Sequence, residues 1–583
     1  MIKRMLRWLV RMIAIVIVLS VIGHIINWWS HRVAPDSVLV LSLKGPVIER
    51  GSDGLRGLVA DNQTPLNVAR RTLREAAGDP RIVGLAVRIT DPEMEFAQAQ
   101  ELSGLIRDFA AHHKWTTAYL ESAGDFGSGN LPYLVASTAG EVSMMPEGEI
   151  NLMGVHVQEL FARGLLDKMG IRPNFAALGK YKSAANIFTE KDFTPPQREE
   201  DEALVNGLFN QLVAGAASER HLDPAQIRAL IDQAPLSANA GLKAHLIDRL
   251  EYGDEFHDRV EKYQGHKHVL IDYARYHHVS LLPRLGHRDR IAVIYADGAI
   301  ERGQGGFDPL LSPGGSGMGS DDMVDALDQA RDDDSVRAVV LRVNSPGGSV
   351  IASELIRRSA ELLAKKKPLV VSMSGYAASG GYWIAMPAAK IFAEPATITG
   401  SIGVLGGKFN IAPMMNSIGV NSAGISRGAN AAMFDAFSDF TPAQQQQFRD
   451  GILGETYQHF INLVARRRGL TPARVDEIAQ GRVWTGEEAI KLKLVDAMGG
   501  LDEAIKTARE LAKVPEETKL GILELPAPPS LLSNLRKGKV GADGALGIGV
   551  PAPLRALLWM FDAVGGARAG WLRAVLCPVV PVI

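Results

Sequence analysis

Residues 38–51 read VLVLSLKGPVIERG, and residues 291–303 read IAVIYADGAIERG. Each is an apolar run rich in β-branched residues that closes on a glycine turn, the pattern of a strand that opens a domain. The two stretches begin a repeat, and the repeat decides the fold. At a constant offset of 249, Tyr133, Ala136, Ala139, Pro146, Gly154 and Val155 face Tyr382, Ala385, Ala388, Pro395, Gly403 and Val404. Those six identities fall within 23 positions, where chance gives roughly one or two. Further on, Asp192-Phe193-Thr194-Pro195 faces Asp439-Phe440-Thr441-Pro442, and Leu246-Ile247-Asp248 faces Leu494-Val495-Asp496.

Outward from these anchors, each half alternates short apolar strands with amphipathic helices. In the second half the pattern predicts a helix over Met323–Arg331, a strand over Val336–Val343, a helix over Ala352–Lys365 and a strand over Leu369–Met373. Asp332-Asp333-Asp334 and Lys365-Lys366-Lys367 mark the loops. This βαβ rhythm predicts two like α/β domains in tandem. The expected boundaries are residues 36–252 for the first repeat, 253–288 for a connector, 289–520 for the second repeat and 521–583 for a Pro/Gly-rich tail.

The bulk numbers exclude several classes. An apolar fraction of 46% over 583 residues builds several cores and rules out global disorder. A net charge of −2 gives no pull toward nucleic acid or anionic lipid. The single cysteine, Cys577, rules out an intramolecular disulfide and a cysteine-rich metal site. Compartment is therefore read from residues 1–35. Lys3, Arg4, Arg7 and Arg11 precede an apolar run from Met12 to Trp29. As a helix this run spans about 27 Å, the thickness of a bilayer's hydrocarbon core. Trp28 and Trp29 suit the far interface, and the basic cluster places residue 1 in the cytoplasm with the body across the membrane. The flank Asn-Trp-Trp-Ser-His-Arg is a poor cleavage site, so an uncleaved transmembrane anchor is expected rather than a signal peptide.

Where the halves differ, chemistry appears. After strand Leu369–Met373 the second half has Ala378-Ser379-Gly380-Gly381-Tyr382, and the first half has Asn130 opposite Ser379. After strand Val336–Val343 it has Asn344-Ser345-Pro346-Gly347-Gly348-Ser349, against Thr90-Asp91-Pro92-Glu93-Met94. A serine before two glycines sits at a helix N-terminus, where free N–H groups favour an oxyanion. Gly347 and Gly348 present backbone N–H groups with no Cβ in the way, so the two loops together predict an oxyanion hole for acyl transfer. From residue 290 on, the one histidine is His459, inside a helix predicted over residues 443–467. Lysine is the alternative base. The first half carries Gly179-Lys180-Tyr181-Lys182-Ser183-Ala184, where the second has Ser426-Arg427-Gly428-Ala429-Asn430-Ala431. Lys182 faces Ala429, and Lys180 is its neighbouring competitor. The half with the serine lacks the lysine, and the reverse, which predicts one composite site.

Together these motifs resemble the signal peptide peptidase SppA family, in its long two-repeat (protease IV) form, within the Clp-protease/crotonase fold superfamily. The resemblance covers the anchor, both repeats, the Gly-Lys-Tyr-Lys-Ser-Ala segment and the run from Asn344 through Gly400-Ser401-Ile402-Gly403-Val404. It implies Lys182 as base, Ser379 as nucleophile and Ser401 as the group that orients the lysine. It also implies that the N–H groups of Gly380 and of the Gly347-Gly348 loop form the oxyanion hole. A dome-like homo-oligomer, a tetramer, on the outer face of the bacterial inner membrane is implied too, with cleaved signal peptides as substrates and no metal or organic cofactor. One departure stands out. The family continues after Lys-Ser-Ala with an acidic-Pro-Phe pattern, and this chain has Ala185-Asn186-Ile187-Phe188.

Other readings have less behind them. An acyl-CoA hydratase or isomerase shares the fold, but the outward anchor separates it from cytoplasmic acyl-CoA. A non-catalytic membrane scaffold would have no reason to keep serine, lysine and paired glycines. His257, His266, His268, His277, His278 and His287 crowd the connector without cysteine or a tight acidic pattern, which fits a surface linker better than a metal site. Gly303–Gly319 lacks the Gly-Lys-Ser/Thr ending of a P-loop and is expected to be a mobile lip. The apolar pieces Leu554–Phe561 and Trp571–Ile583 are too short to span a bilayer.

Overall fold

The structure, a computed structural model, describes residues 33–51, 62–280, 289–305 and 317–526, apart from residues 126 and 516. The expected anchor, most of the Gly303–Gly319 lip and the apolar pieces after residue 526 lie outside the described residues. Among the described residues no helix is long and apolar enough to cross a membrane.

Two sheets organise the chain. The first half supplies strands β1 (Ser37–Ile48), β2 (Ile82–Glu93), β3 (Trp115–Leu120), β4 (Glu141–Met144), β5 (Arg172–Leu178), β6 (Arg249–Leu250) and β7 (Val269–Asp272). They form a parallel sheet in the order β7-β1-β2-β3-β4-β6, with β5 standing apart. The second half supplies β8 (Arg290–Asp297), β9 (Val336–Ser345), β10 (Leu369–Ala378), β11 (Lys390–Ala393), β12 (Ile398–Gly400), β13 (Val404–Asn410), β14 (Val483–Thr485), β15 (Ala497–Met498) and β16 (Gly521–Leu525). Their order is β14-β12-β10-β9-β8-β16, with β11 beside β10 and β15 beside β11. All these pairs are parallel except β14 against β12. Parallel strands buried on both faces favour apolar runs, which β1, β8, β9 and β10 carry, interrupted in β9 by buried Arg342 and in β10 by buried Ser372.

Helices cover the faces. In the first half α1 (Leu66–Gly78), α2 (Phe96–Ala111) and α3 (Asn130–Ser137) pack into one core with Leu39, Leu41, Leu85 and Val87, and α4 (Pro195–Arg220) adds Leu212, Val213 and Ala216. Residues 253–280 are no connector. Helix α5 (Gly253–Glu261) covers the opposite face with Phe256 and Val260, β7 extends the sheet, and α6 (Tyr273–Ser280) buries Tyr273 and Tyr276. Apolar residues interleaved with histidines drive this docking. His268 is buried, with its ring nitrogens on the carbonyls of Asp36 and Tyr263. No cluster of possible metal ligands occurs among the described residues. The second half repeats the scheme with α7 (Ser320–Asp332), α8 (Val350–Ala364), α9 (Gly380–Ala385), α10 (Gly454–Arg468) and α11 (Leu501–Leu511). The single helix expected over residues 443–467 is divided by a π-helical stretch, Gln447–Leu453, that carries Gly451. The tail expected from residue 521 starts later, because Gly521–Leu525 pairs with β8 as β16.

The halves share bonds as well as order. Tyr133 Oη donates to Leu246 O at 2.9 Å, and Tyr382 Oη to Leu494 O at 2.8 Å. Arg220 pairs with Asp248, and Arg468 with Asp496, each at 2.6 Å. They join through an antiparallel ladder in which β5 pairs with β13, from Leu178 opposite Val404 to Arg172 opposite Asn410.

Candidate active site

The nucleophile candidate is delivered by strand length. The strand expected to end at Met373 continues as β10 to Ala378, and Ser379 follows with φ 56° and ψ −116°. A serine is held in this left-handed region at a cost of about 1–3 kcal/mol, because neighbouring bonds fix it. Its N–H donates to Gly400 O at 2.8 Å, and its carbonyl accepts from Trp383 N–H at 2.9 Å in the first turn of α9. Its side chain is buried.

The β5/β13 ladder brings the base candidate across. Lys182 follows β5, and Ser401 precedes β13, so pairing Leu178 with Val404 sets the two side by side. The turn Gln480-Gly481-Arg482 clamps them. Tyr181 N–H donates to Gln480 O at 2.8 Å, Gly481 N–H to Ile402 O at 2.9 Å, and Ser401 N–H to Arg482 O at 2.7 Å. A Cβ at Gly481 would stand 2.5 Å from Lys182 N, and its φ is 80°. The closeness of the two segments therefore demands glycine there.

Lys182 Nζ donates to Ser379 Oγ at 2.7 Å. It also lies 3.0 Å from Ser401 Oγ and 3.2 Å from Ser401 O. Burial pushes the Lys182 amine down to about 7, while the carboxyl of Glu200 opposes that fall. At neutral pH a large fraction of the amine is thus free base, which an exposed lysine near 10.4 never offers. Lys180 is exposed and lies over the Tyr181 ring, away from the serine.

The paired-glycine loop lies against the serine. A Cβ on Gly347 would stand 2.8 Å from both Gly380 N and Ser379 Cβ. Gly347 spends its own N–H on Ser345 Oγ at 3.2 Å, and its carbonyl accepts from Ile300 N–H at 2.8 Å. Of the glycines in this loop, Gly348 is therefore the better placed to join Gly380 as an oxyanion donor. The atypical Ala185–Phe188 stretch keeps Phe188 buried against Phe175 and Phe409, one from each strand of the ladder.

Sequence reasoning missed three residues here. Gly481 and Arg482 form the clamp, and Arg482 pairs with Glu199 at 2.9 Å while Tyr181 Oη donates to the same carboxylate at 2.8 Å. Glu200 is buried one turn into α4 and accepts from Val483 N–H at 2.6 Å. Gln197 and Glu200, both buried and three apart, were the available signal for a polar inward face.

Residues 120–267 and 361–515 match the profile of Peptidase family S49. The chain is 31% identical over 526 residues to "Serine protease SPPA, chloroplastic" of Arabidopsis thaliana, covering 88% of this chain and 76% of that one. It is 36% identical over 463 residues to "Protease 4" of Salmonella typhi, covering 76% and 71%. A "Protease 4" of Haemophilus influenzae is 30% identical over 564 residues, covering 91% and 89%. A buried lysine on a strained serine, beside a glycine loop and within two matched regions, gives these likenesses their chemistry: the chain belongs to peptidase family S49 and is a serine protease.

Proposed function

We propose that this protein is a membrane-anchored endopeptidase with a Ser379–Lys182 dyad, which degrades remnant signal peptides and other apolar peptides at the membrane. The observation that carries the reading is the 2.7 Å contact between Lys182 Nζ and Ser379 Oγ across 197 positions of chain. It joins two copies of one Clp-protease/crotonase-like domain, a duplication supported by the matched Tyr133/Tyr382 and Arg220–Asp248/Arg468–Asp496 bonds. Residues 12–29 serve as the anchor, with the body on the outer face of the membrane and a homo-oligomer as the working form.

The reaction runs in two steps. Neutral Lys182 takes the Ser379 hydroxyl proton as Oγ bonds to the scissile carbonyl carbon. The oxyanion that forms accepts N–H bonds from Gly380 and Gly348. The C–N bond breaks as Lys182 passes its proton to the leaving amine, which leaves an acyl ester on Ser379. Lys182 then takes a proton from water, the hydroxide oxygen attacks the ester, and the proton returns to Oγ. Ser401 holds Nζ throughout.

Ser379→Ala and Lys182→Ala should each lower kcat/KM on a peptide substrate by about 10⁴-fold, with the melting temperature retained. A serine-directed acylating probe should label the wild type and fail on Ser379→Ala. Labelling that survives in Ser379→Ala would overturn the dyad.

A further inference from the structure

Glu200 belongs to neither half of the dyad, yet it is built into the frame around it. It lies in the first turns of α4, only 4% exposed. Val483 N–H donates to its Oε1 at 2.6 Å. Val483 is the partner of Gly400 in the β12/β14 ladder. Gly400 in turn accepts the Ser379 N–H, and the next residue, Ser401, holds Lys182. One carboxyl thus ties α4 to the strand pair that positions both reacting groups. The charged groups facing it are Asp201 on its own helix, Arg482 in the clamp and Lys182. Asp201 in turn faces Glu159. Arg482 is committed to Glu199. Among the described residues Glu200 is the ionisable group whose charge acts on Lys182.

We propose that Glu200 is a positioning residue of the dyad, a buried carboxyl whose proton equilibrium is coupled to that of Lys182, so that the free base forms over two ionisations instead of one. This rests on the dyad reading above. In acid the pair holds two protons. The first loss gives either an ammonium facing a carboxylate or an amine facing a carboxylic acid, and only the second form contains a base. The second loss converts the remainder. Burial raises the Glu200 carboxyl and lowers the Lys182 amine, so the two ionisations are drawn toward each other. A carboxylate here also steadies the ammonium that forms when Ser379 gives up its proton.

The test is the pH profile of kcat/KM on a peptide, taken from about pH 5 to 10, for wild type and Glu200→Gln. Glutamine keeps an acceptor for Val483 N–H and cannot ionise. In wild type the activity should rise with pH through about 7 over a limb broader than one proton gives. In Glu200→Gln the limb should fit one ionisation and lie about one pH unit lower. The rate of acyl-probe labelling should follow the same two curves. A Glu200→Gln limb with the wild-type midpoint and shape, at whatever rate, leaves Glu200 a structural anchor and overturns the proposal. Should the variant not fold, a simple one-proton limb in wild type overturns it equally. Ser379→Ala and Lys182→Ala run alongside separate the two failures. If either stays active, the dyad itself falls and the coupling with it. If both are dead and the limb is unmoved, only the role of Glu200 falls.

Discussion

At the scale of single residues, the site is a set of side chains held where they would not rest alone. Ser379 and Ser401 both have left-handed backbones, at φ 56° and 51°. Each is pinned by a bond to a neighbouring strand or turn, Ser379 to Gly400 and Ser401 to Arg482. Lys182 is buried, and among the described residues its amine bonds to two hydroxyls and a carbonyl and to no carboxylate. Removing Ser401 Oγ leaves Nζ two of those three contacts and a wider range of angles toward Ser379. Ser401→Ala should therefore lower kcat by roughly tenfold to a hundredfold, with KM little changed, since in the proposed dyad the lost contact aims Lys182 at Ser379. Steady-state kinetics on one peptide measures both. A wild-type kcat in Ser401→Ala would assign Ser401 to the turn alone.

At the scale of elements, β5 and β13 and the 480–482 turn turn two half-sites into one. Gly481 is a tight point of that fit, because its missing Cβ is the room occupied by the Lys182 backbone. A backbone nitrogen cannot swing aside as a side-chain tip does. Gly481→Ala should move Lys182 by a fraction of an ångström and lower kcat by about 100-fold. The turn joins neither large core, so the melting temperature should fall by only a few degrees. An unchanged kcat would mean the segments tolerate the methyl. The same element explains what the sequence could and could not reveal. Strands β8 to β10 were legible because both their faces are buried and each carries a run of apolar residues, Ile291–Ala296, Ala338–Leu341 and Leu369–Val371. Ser379 and Lys182 were expected to meet because each half lacks what the other has, and the structure sets their side chains 2.7 Å apart. Strand β5 is half-buried along most of its length, so it carries no alternation to read. Its partner lies far along the chain, and the glycine that lets them meet looks like any turn glycine. Residues 253–280 were misread for a related reason, since histidines and acids hide the few apolar residues that dock.

At the scale of the whole molecule, the two halves meet over buried charge. Arg342 of β9 reaches Glu49 at 2.8 Å and Glu101 at 2.5 Å, both from the first half, and all three are buried. Arg70 pairs with Asp502 across the same seam. Carboxyls outnumber the cations available to them. Burial pushes Glu95 and Glu394 up to about 8 and Asp297 up to about 7. Glu95 is the simplest to test, for its Oε2 is buried with no hydrogen-bond partner among the described residues, at Gly375 of the other half. Glu49 and Asp297 face it as like charges, while Arg342 and Asn344 offset them in part. An unfolded glutamate ionises near 4.3, so between that value and about 8 unfolding releases a proton that the folded seam retains. The stability Glu95 contributes is complete below the unfolded value and is lost as pH climbs through the folded one. Lys182 runs the opposite way, its folded value being depressed, but it is common to wild type and variant and cancels between them. Glu95→Gln stays neutral at every pH. It should match wild type in melting temperature near pH 4 and exceed it by several degrees near pH 8.5 (roughly, for one buried carboxyl). Equal differences at the two pH values would place the Glu95 carboxylate in contact with water. A gap that opens with pH would make Glu95 a carboxyl through which alkali weakens the seam between the two halves.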